Sequence, residues 1–245
     1  MSGTSIRAHA YSLGGDADTS NAAGQPSRAE QVAELRSRMS ALGGEVTHSV
    51  TEDVAVLPLD GVFGTLLPNG GLPRRAVTHV SDTPALIVEI LAQVTAAGGF
   101  CGVVGWPELS YAGIAPENLD RVVAVPDPGI DPLSVAGVLS EGLDLVVLRS
   151  PQSIELSPVR ARPVLAKLRR GQAALVAVGT RLPSPALEVT GEVAEIHGIG
   201  RGRGRISGID IRVRTRAKGM RPASQVLTLG AAPQREGQPA LQVVK

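Results

Sequence analysis

Five short aliphatic runs, each tied to the next by a helix signal, constrain this chain more than any other feature. They fall at residues 76–80 (AVTHV), 100–104, 121–125, 143–148 and 173–178. The runs are apolar almost throughout and do not alternate with polar residues. A strand of that kind must be covered on both faces, which is the habit of parallel sheets flanked by helices. The segments between them carry helix punctuation. Thr83 stands at the cap and Pro84 at the first position of a helix over 84–97, where an absent N–H leaves no hydrogen bond unmade. A short helix is expected around 116–120. Asp131 caps a helix running to Glu141, and Ser157 caps a basic helix running to Arg170, with Pro163 as a kink point. After Pro185 the helix signals stop. Residues 192–197, 208–214 and 225–229 read as an antiparallel extension, with GIGRGRGRISG as the turn joining the first two. The expected fold class is α/β: a mainly parallel, helix-covered sheet with a C-terminal antiparallel strand extension and a separate N-terminal helix.

That N-terminal helix follows a stretch, 1–26, so poor in aliphatic residues that it reads as a disordered tail. Ser27 and Glu30 form a capping box, in which each side chain satisfies a free amide at the helix start. Val32, Leu35, Met39 and Leu42 then recur at spacings of 3, 4 and 3 until Gly43 and Gly44 end the helix. A stripe that narrow does not fold alone, so the helix must dock on a surface. Residues 45–75 read as a lead-in to the core and 231–245 as a C-terminal tail.

Several function classes are excluded or disfavoured by residue usage. The longest aliphatic run, 173–178, is six residues, far short of a membrane span. The N-terminus has no apolar signal-peptide core, so a cytoplasmic location is expected. Cys101 is the one cysteine, which excludes an intrachain disulfide and any cysteine-cluster metal site. His9, His48, His79 and His197 are too scattered along the chain to display metal-ligand spacing. With five aromatic residues in all, a base-stacking platform is not expected. His79, inside a strand, reads as a buried or edge histidine bonded to backbone, Cys101 in an apolar strand as an inert core thiol, and Trp106 after a strand end as core or rim packing. Glu108 has no partner that the sequence nominates.

Charge is divided along the chain. Residues 1–148 carry 7 Lys+Arg against 17 Asp+Glu, a balance of −10, and residues 149–245 carry 17 against 6, a balance of +11. Arg201, Arg203 and Arg205 alternate with glycine, Arg212, Arg214 and Arg216 alternate along a strand and so share one face, and Lys218 and Arg221 extend the set. These eight cations predict an anionic partner, either DNA or an acidic protein patch, bound in a salt-sensitive and sequence-independent way. Arg160, Arg162, Lys167, Arg169 and Arg170 on the helix to Arg170 suit its dipole and solubility.

Three strings carry a family resemblance. LPLDGVFGTLLPNGGLPRRAVTHV resembles the segment leading into the first core strand of the RecA recombinases, LDLVVLRS the strand of their second nucleotide motif, and RVRTRAKGMRPASQVLTL their late strand pair. The likeness spans roughly residues 54–230, and the whole chain is similar to the actinobacterial form of ImuA, the RecA-like accessory protein of the damage-inducible mutagenesis cassette. The resemblance implies a RecA-like core at 76–230 and a role in SOS-induced, error-prone translesion DNA synthesis. The partners it implies are an ImuB-like relative of the Y-family polymerases, a damage-induced replicative-type polymerase subunit and RecA recombinase, with DNA reached through the basic C-terminal half and no membrane involved.

The chain departs from the recombinase pattern at the nucleotide site. A phosphate loop needs glycine-rich backbone, a lysine and a Ser/Thr for magnesium, but Val80 is followed by Ser81-Asp82-Thr83-Pro84 and the helix begins at once. Asp82 repels phosphate. Arg149 stands where a metal-holding aspartate should follow Leu148, and Pro107, next to Glu108, aligns with the catalytic glutamate. The expectation is a retained fold without enzymatic activity, nucleotide cofactor or metal. Three other readings remain open: a nucleotide hydrolase with an unusual loop, a single-stranded DNA binder, and a SulA-like cell-division inhibitor.

In recombinases the segment ahead of the core packs on a neighbouring protomer, so the helix at 27–42 is expected to dock on another chain. Leu35→Asp should then abolish partner pull-down with little change in melting temperature. A clear drop in melting temperature with partner binding retained would put the helix on its own sheet.

Overall fold

The computed structural model describes residues 55–200 and 203–230; the tail, the docking helix with Val32, Leu35, Met39 and Leu42, and the C-terminal tail lie outside the described residues. A small antiparallel pair, β1 (Val56–Pro58) and β2 (Gly71–Pro73), brackets helix α1 (Gly61–Leu66). The main sheet has eight strands in the order β10-β9-β8-β3-β7-β6-β4-β5. They are β3 (Val77–Val80), β4 (Cys101–Val104), β5 (Val122–Val125), β6 (Leu145–Glu155), β7 (Ala174–Arg181), β8 (Leu187–Gly200), β9 (Arg203–Ala217) and β10 (Ala223–Gly230). Strands β3 to β8 pair in parallel, while β9 and β10 run antiparallel. The connecting helices are α2 (Pro84–Ala96), α3 (Pro132–Gly142) and α4 (Pro158–Arg170). The fold class is the expected one: α/β, mainly parallel, with a C-terminal antiparallel extension.

Two-sided burial explains the aliphatic runs of β3, β4, β6 and β7; β5, expected to be covered likewise, is an edge strand and stays partly exposed along its length. Successive residues of a strand face opposite sides, so Leu145, Val147, Val176 and Val178 join the layer under α1 and α2, with Phe63, Ile87 and Leu91. Val146, Leu148, Leu175 and Ala177 join the layer under α3 and α4, with Ala136, Val164 and Leu168. Helix α4 buries only the narrow stripe Ala161, Val164 and Leu168, and its Arg160, Arg162, Arg169 and Arg170 are exposed. It runs through Pro163 as one helix. At the amino edge, Arg74 places Nη1 and Nη2 at 3.1 and 3.0 Å from Asp144 Oδ1 and donates to the Gln172 carbonyl at 2.8 Å. Asp144 also accepts the Phe100 amide at 3.0 Å. One ion pair thus ties the end of β2 to the starts of β4, β6 and β7.

The polar parts of the strands extend further than the sequence indicates. Strand β6 continues past Leu148 to Glu155 and β7 past Val178 to Arg181, because after an irregularity Ile154 and Glu155 pair with Thr180 and Arg181. Gly179 makes this crossing feasible: its φ is +69°, and a Cβ there would overlap the Ser150 carbonyl. GIGRGRGRISG is not simply a turn either. Pairing of β8 with β9 continues to Gly200 opposite Arg203, so Arg203 and Arg205 belong to a strand. Thr83 occupies the cap position of α2 but makes no capping hydrogen bond.

Cys101 is fully buried in β4. Burial, reinforced by the charge of Asp144, pushes its thiol up to about 12, so the reactive thiolate is scarce at neutral pH. The native chain should resist maleimide and iodoacetamide and label only on unfolding. Labelling at the rate of an exposed thiol would contradict this placement.

Candidate functional site

In open α/β sheets, ligands gather outside the carboxyl ends of the strands. Here those ends are the residues following Val80, Val104 and Leu148, and their side chains converge. Arg149, next after Leu148, reaches across to the other two. Its Nε and Nη2 lie 3.3 and 3.1 Å from Asp82 Oδ2, and its Nη1 lies 3.5 Å from Glu108 Oε2. The guanidinium carbon stands 4.9 Å from the centre of the Trp106 ring. Arg149 is 17% exposed, against 48% for Asp82 and 70% for Glu108, and Trp106 is 4% exposed. Gly105, with φ +76°, lets the ends of β4 and β6 approach, since a Cβ there would stand 2.5 Å from the Arg149 carbonyl oxygen.

The three positions at which the sequence departs from the recombinase pattern therefore form one cluster: a cation stacked on an aromatic face and shared by two acids. Trp106 is packed, as expected, and Arg149 is the partner that Glu108 lacked in sequence. The loop after β3 is also committed. Ser81 Oγ accepts the Gly191 amide at 2.8 Å, Thr83 Oγ1 donates to the Gly191 carbonyl at 2.9 Å, and the Ser81 amide donates to Val189 O at 3.0 Å. These groups hold β8 beside β3. On the far side of β3, His79 Nε2 accepts the Leu182 amide at 3.0 Å, and burial lowers the pKa of the ring. It is the backbone-bonded histidine the sequence predicts. Beside Arg149 lies a cleft of about 540 Å³, walled by Pro126, Pro128, Ile130, Leu148, Ile154 and Leu156, with Arg160 at its margin.

The basic strands differ from their sequence reading. Arg212, Arg214 and Arg216 do share the exposed outer face of β9. However, Arg214 Nη1 lies 2.9 Å from Glu192 Oε1, and Arg216 Nη2 lies 2.8 Å from Glu188 Oε2. Two of the eight cations are thereby neutralised within the sheet. Arg205, Lys218 and Arg221 are exposed, the Arg203 backbone is placed in β9, and Arg201 lies outside the described residues. The pairing has a sequence signature: Glu188 and Glu192 are four apart on a strand and so share one face.

A family model described as the MT3502 N-terminal domain matches residues 65–184, a span that includes Asp82, Trp106, Glu108 and Arg149. The chain is 33% identical over 204 residues to the uncharacterized protein Rv3395c of Mycobacterium tuberculosis, covering 78% of this chain and 93% of that one. Two solved structures share a lower likeness. The KaiC-like protein PH0186 of Pyrococcus horikoshii matches at 12% identity and TM-score 0.44, covering 71% of this chain and 94% of that one. The RadB recombinase matches at 14% identity and TM-score 0.43, covering 68% and 91%. Among the described residues, no helix is long and apolar enough to cross a membrane.

Arg149→Ala should cost about 1–2 kcal/mol, the scale of one cation–π contact plus partly exposed ion pairs. Because Trp106 is the one tryptophan, its fluorescence reports the change directly, and emission should shift to the red as the ring is uncovered. Unshifted emission would show that the guanidinium is not what shields the indole.

Proposed function

We propose that this chain, which belongs to the family of the MT3502 N-terminal domain, is a non-catalytic accessory protein built on a degenerate RecA-like core. It acts through protein contacts in damage-induced, error-prone DNA synthesis. The observation that carries the non-catalytic part is the position of Arg149. Phosphoryl transfer needs free backbone amides and a lysine around the phosphates, and a carboxylate to hold magnesium. At this edge an arginine takes the strand position of that carboxylate and draws Asp82 toward itself. The hydroxyls of Ser81 and Thr83 are bonded to Gly191. An entering triphosphate would meet two carboxylates and would have to break an ion pair to reach the arginine. The neighbouring cleft, largely apolar in its walls, suits a partner's side chain better than a nucleotide.

The mutagenesis part rests on the likeness of the whole chain to the actinobacterial form of ImuA, residues 57–80, 143–150 and 212–229 being the strings that resemble the RecA core. It names as partners an ImuB-like relative of the Y-family polymerases and a damage-induced replicative-type polymerase subunit, with RecA recombinase as a third. A second reading, direct contact with single-stranded DNA, is favoured by Arg212, Lys218 and Arg221. These are exposed and without an ion pair among the described residues.

Calorimetry with ATP and magnesium should give no heat beyond dilution, and the tagged chain should co-purify with the ImuB-like partner from damaged cells. Saturable ATP binding with a micromolar dissociation constant overturns the non-catalytic reading. Recovery of the chain without either polymerase partner overturns the mutagenesis reading.

A further inference from the structure

The antiparallel arm carries a second polar cluster, on which the proposed function makes no demand. Glu195 and His197 are two apart on β8 and so project from one face, and Asp210 lies directly opposite Glu195 on β9. The register slips just before this pair, between Val193 and Glu195, and again just after it, between His197 and Ile199. Irregularities of this kind re-aim side chains and recur beside functional sites. Opposite His197 stands Gly208, which has no side chain to occupy the space the ring needs.

The histidine is the unusual member. Its side chain is 6% exposed, with Nε2 3.0 Å from Asp210 Oδ1 and Nδ1 3.9 Å from Glu195 Oε1. Yet Nε2 is buried without a hydrogen-bond partner, because the carboxylate oxygen is close but off the axis of the ring nitrogen. Buried polar atoms left in that state are rare and need a reason. Two ligands of one tetrahedral ion produce such an arrangement. With metal–ligand bonds near 2.0–2.1 Å, the two donor atoms stand about 3.3 Å apart, and each points at the ion instead of at the other. One donor atom from each of Glu195, His197 and Asp210 lies within 4.8 Å of the other two. Asp210 Oδ1 also accepts a hydrogen bond of 2.7 Å from Thr228 Oγ1 on β10. Outer-shell partners commonly fix a ligating carboxylate in this way.

We propose that Glu195, His197 and Asp210 bind a divalent transition-metal cation of the zinc class. One imidazole and two carboxylates are a nitrogen-and-oxygen donor set of the kind zinc accepts, and three protein ligands leave a fourth position open. The open side is that of Glu195, whose side chain is 69% exposed. A bound ion clips β8 to β9, and through Thr228 it braces β10, at the base of the arm whose far end carries Arg203 and Arg205. It also cancels the negative charge of two carboxylates on the arm, where Arg214 and Arg216 are already matched by Glu192 and Glu188.

The test uses the full chain, stripped with EDTA and dialysed, then titrated with zinc chloride and separately with cobalt(II) chloride. Wild type should take up one zinc ion per chain and give the intense visible absorption of tetrahedral cobalt. His197→Gln and Asp210→Asn should abolish both signals, and Thr228→Val should weaken zinc binding by about tenfold. Glu195→Gln, on an exposed side chain, guards against loss of fold in the other variants. With an unchanged circular dichroism spectrum it should bind zinc more weakly and alter the cobalt spectrum. Failure of the wild type to bind zinc overturns the site, as does equal uptake by the wild type and a folded Glu195→Gln.

Discussion

Everything in this molecule is arranged around the burial of β6 and β7 on both faces. Leu145 to Leu148 and Ala174 to Val178 have almost no contact with water, and a strand closed on two sides leaves polar chemistry only at its ends. Helices α1 and α2 cover one face and α3 and α4 the other. The two edges of the sheet are then where charge can gather, and both are occupied by arginines. At the amino edge Arg74 is held by Asp144 and the Gln172 carbonyl; at the carboxyl edge Arg149 is held by Asp82 and Glu108. The first is stapled to backbone from several strands and stabilises the fold. The second joins side chains alone, in the place where such sheets receive ligands.

This contrast bears on what the carboxyl edge can do. A cation buried against an indole and shared by two acids is satisfied, and satisfied groups are poor recruits for chemistry. Phosphate binding depends on unsatisfied donors held open by the backbone. Here the corresponding donors are spent on β8: the Ser81 amide on the Val189 carbonyl and the Thr83 hydroxyl on the Gly191 carbonyl, while Ser81 Oγ is taken up accepting the Gly191 amide. The same hydrogen bonds attach the antiparallel arm to the parallel sheet. Reopening a phosphate loop would therefore loosen the junction between β3 and β8. The geometry couples retention of the arm to closure of the site.

How much of this was legible in the sequence follows from the physics of each signal. Apolar runs and caps are local, and the starts of the five central strands, α2, the Asp131 cap and the Ser157 cap all stand within a residue or two of where the sequence puts them. Polar strand segments are not local. Residues 150–155, 198–200 and 203–205 carry no strand periodicity and become strands only because a partner lies alongside. The candidate site was legible by subtraction: Asp82, Arg149 and Pro107, the neighbour of Glu108, each broke an expected pattern. That Asp82 and Glu108 touch Arg149 was not legible, because the contacts cross 67 and 41 residues of chain. The Glu195, His197 and Asp210 cluster was hidden for the same reason. The scatter of four histidines says nothing about a cluster completed by one carboxylate on the same strand and one on its neighbour.

The charge division of the sequence is transformed most by folding. A balance of −10 in the first 148 residues and +11 in the remainder describes two poles only if the two halves sit apart. Among the described residues they do not, because β3 of the first half lies between β7 and β8 of the second, and β6 lies between β4 and β7. Opposite charges from the two halves meet there: Arg149 with Asp82 and Glu108 beyond the strands, and Arg170 with Glu141, at 3.7 Å, between the last turns of α4 and α3. Within the basic half, Glu188 and Glu192 answer Arg216 and Arg214. Fields from charges paired at such distances fall off far faster than those of isolated ones, and salt screens what is left beyond about 8–10 Å. The described surface of the arm thus offers its unpaired cations at contact range, and is not a long-range attractor of the strength that the count of arginines implies.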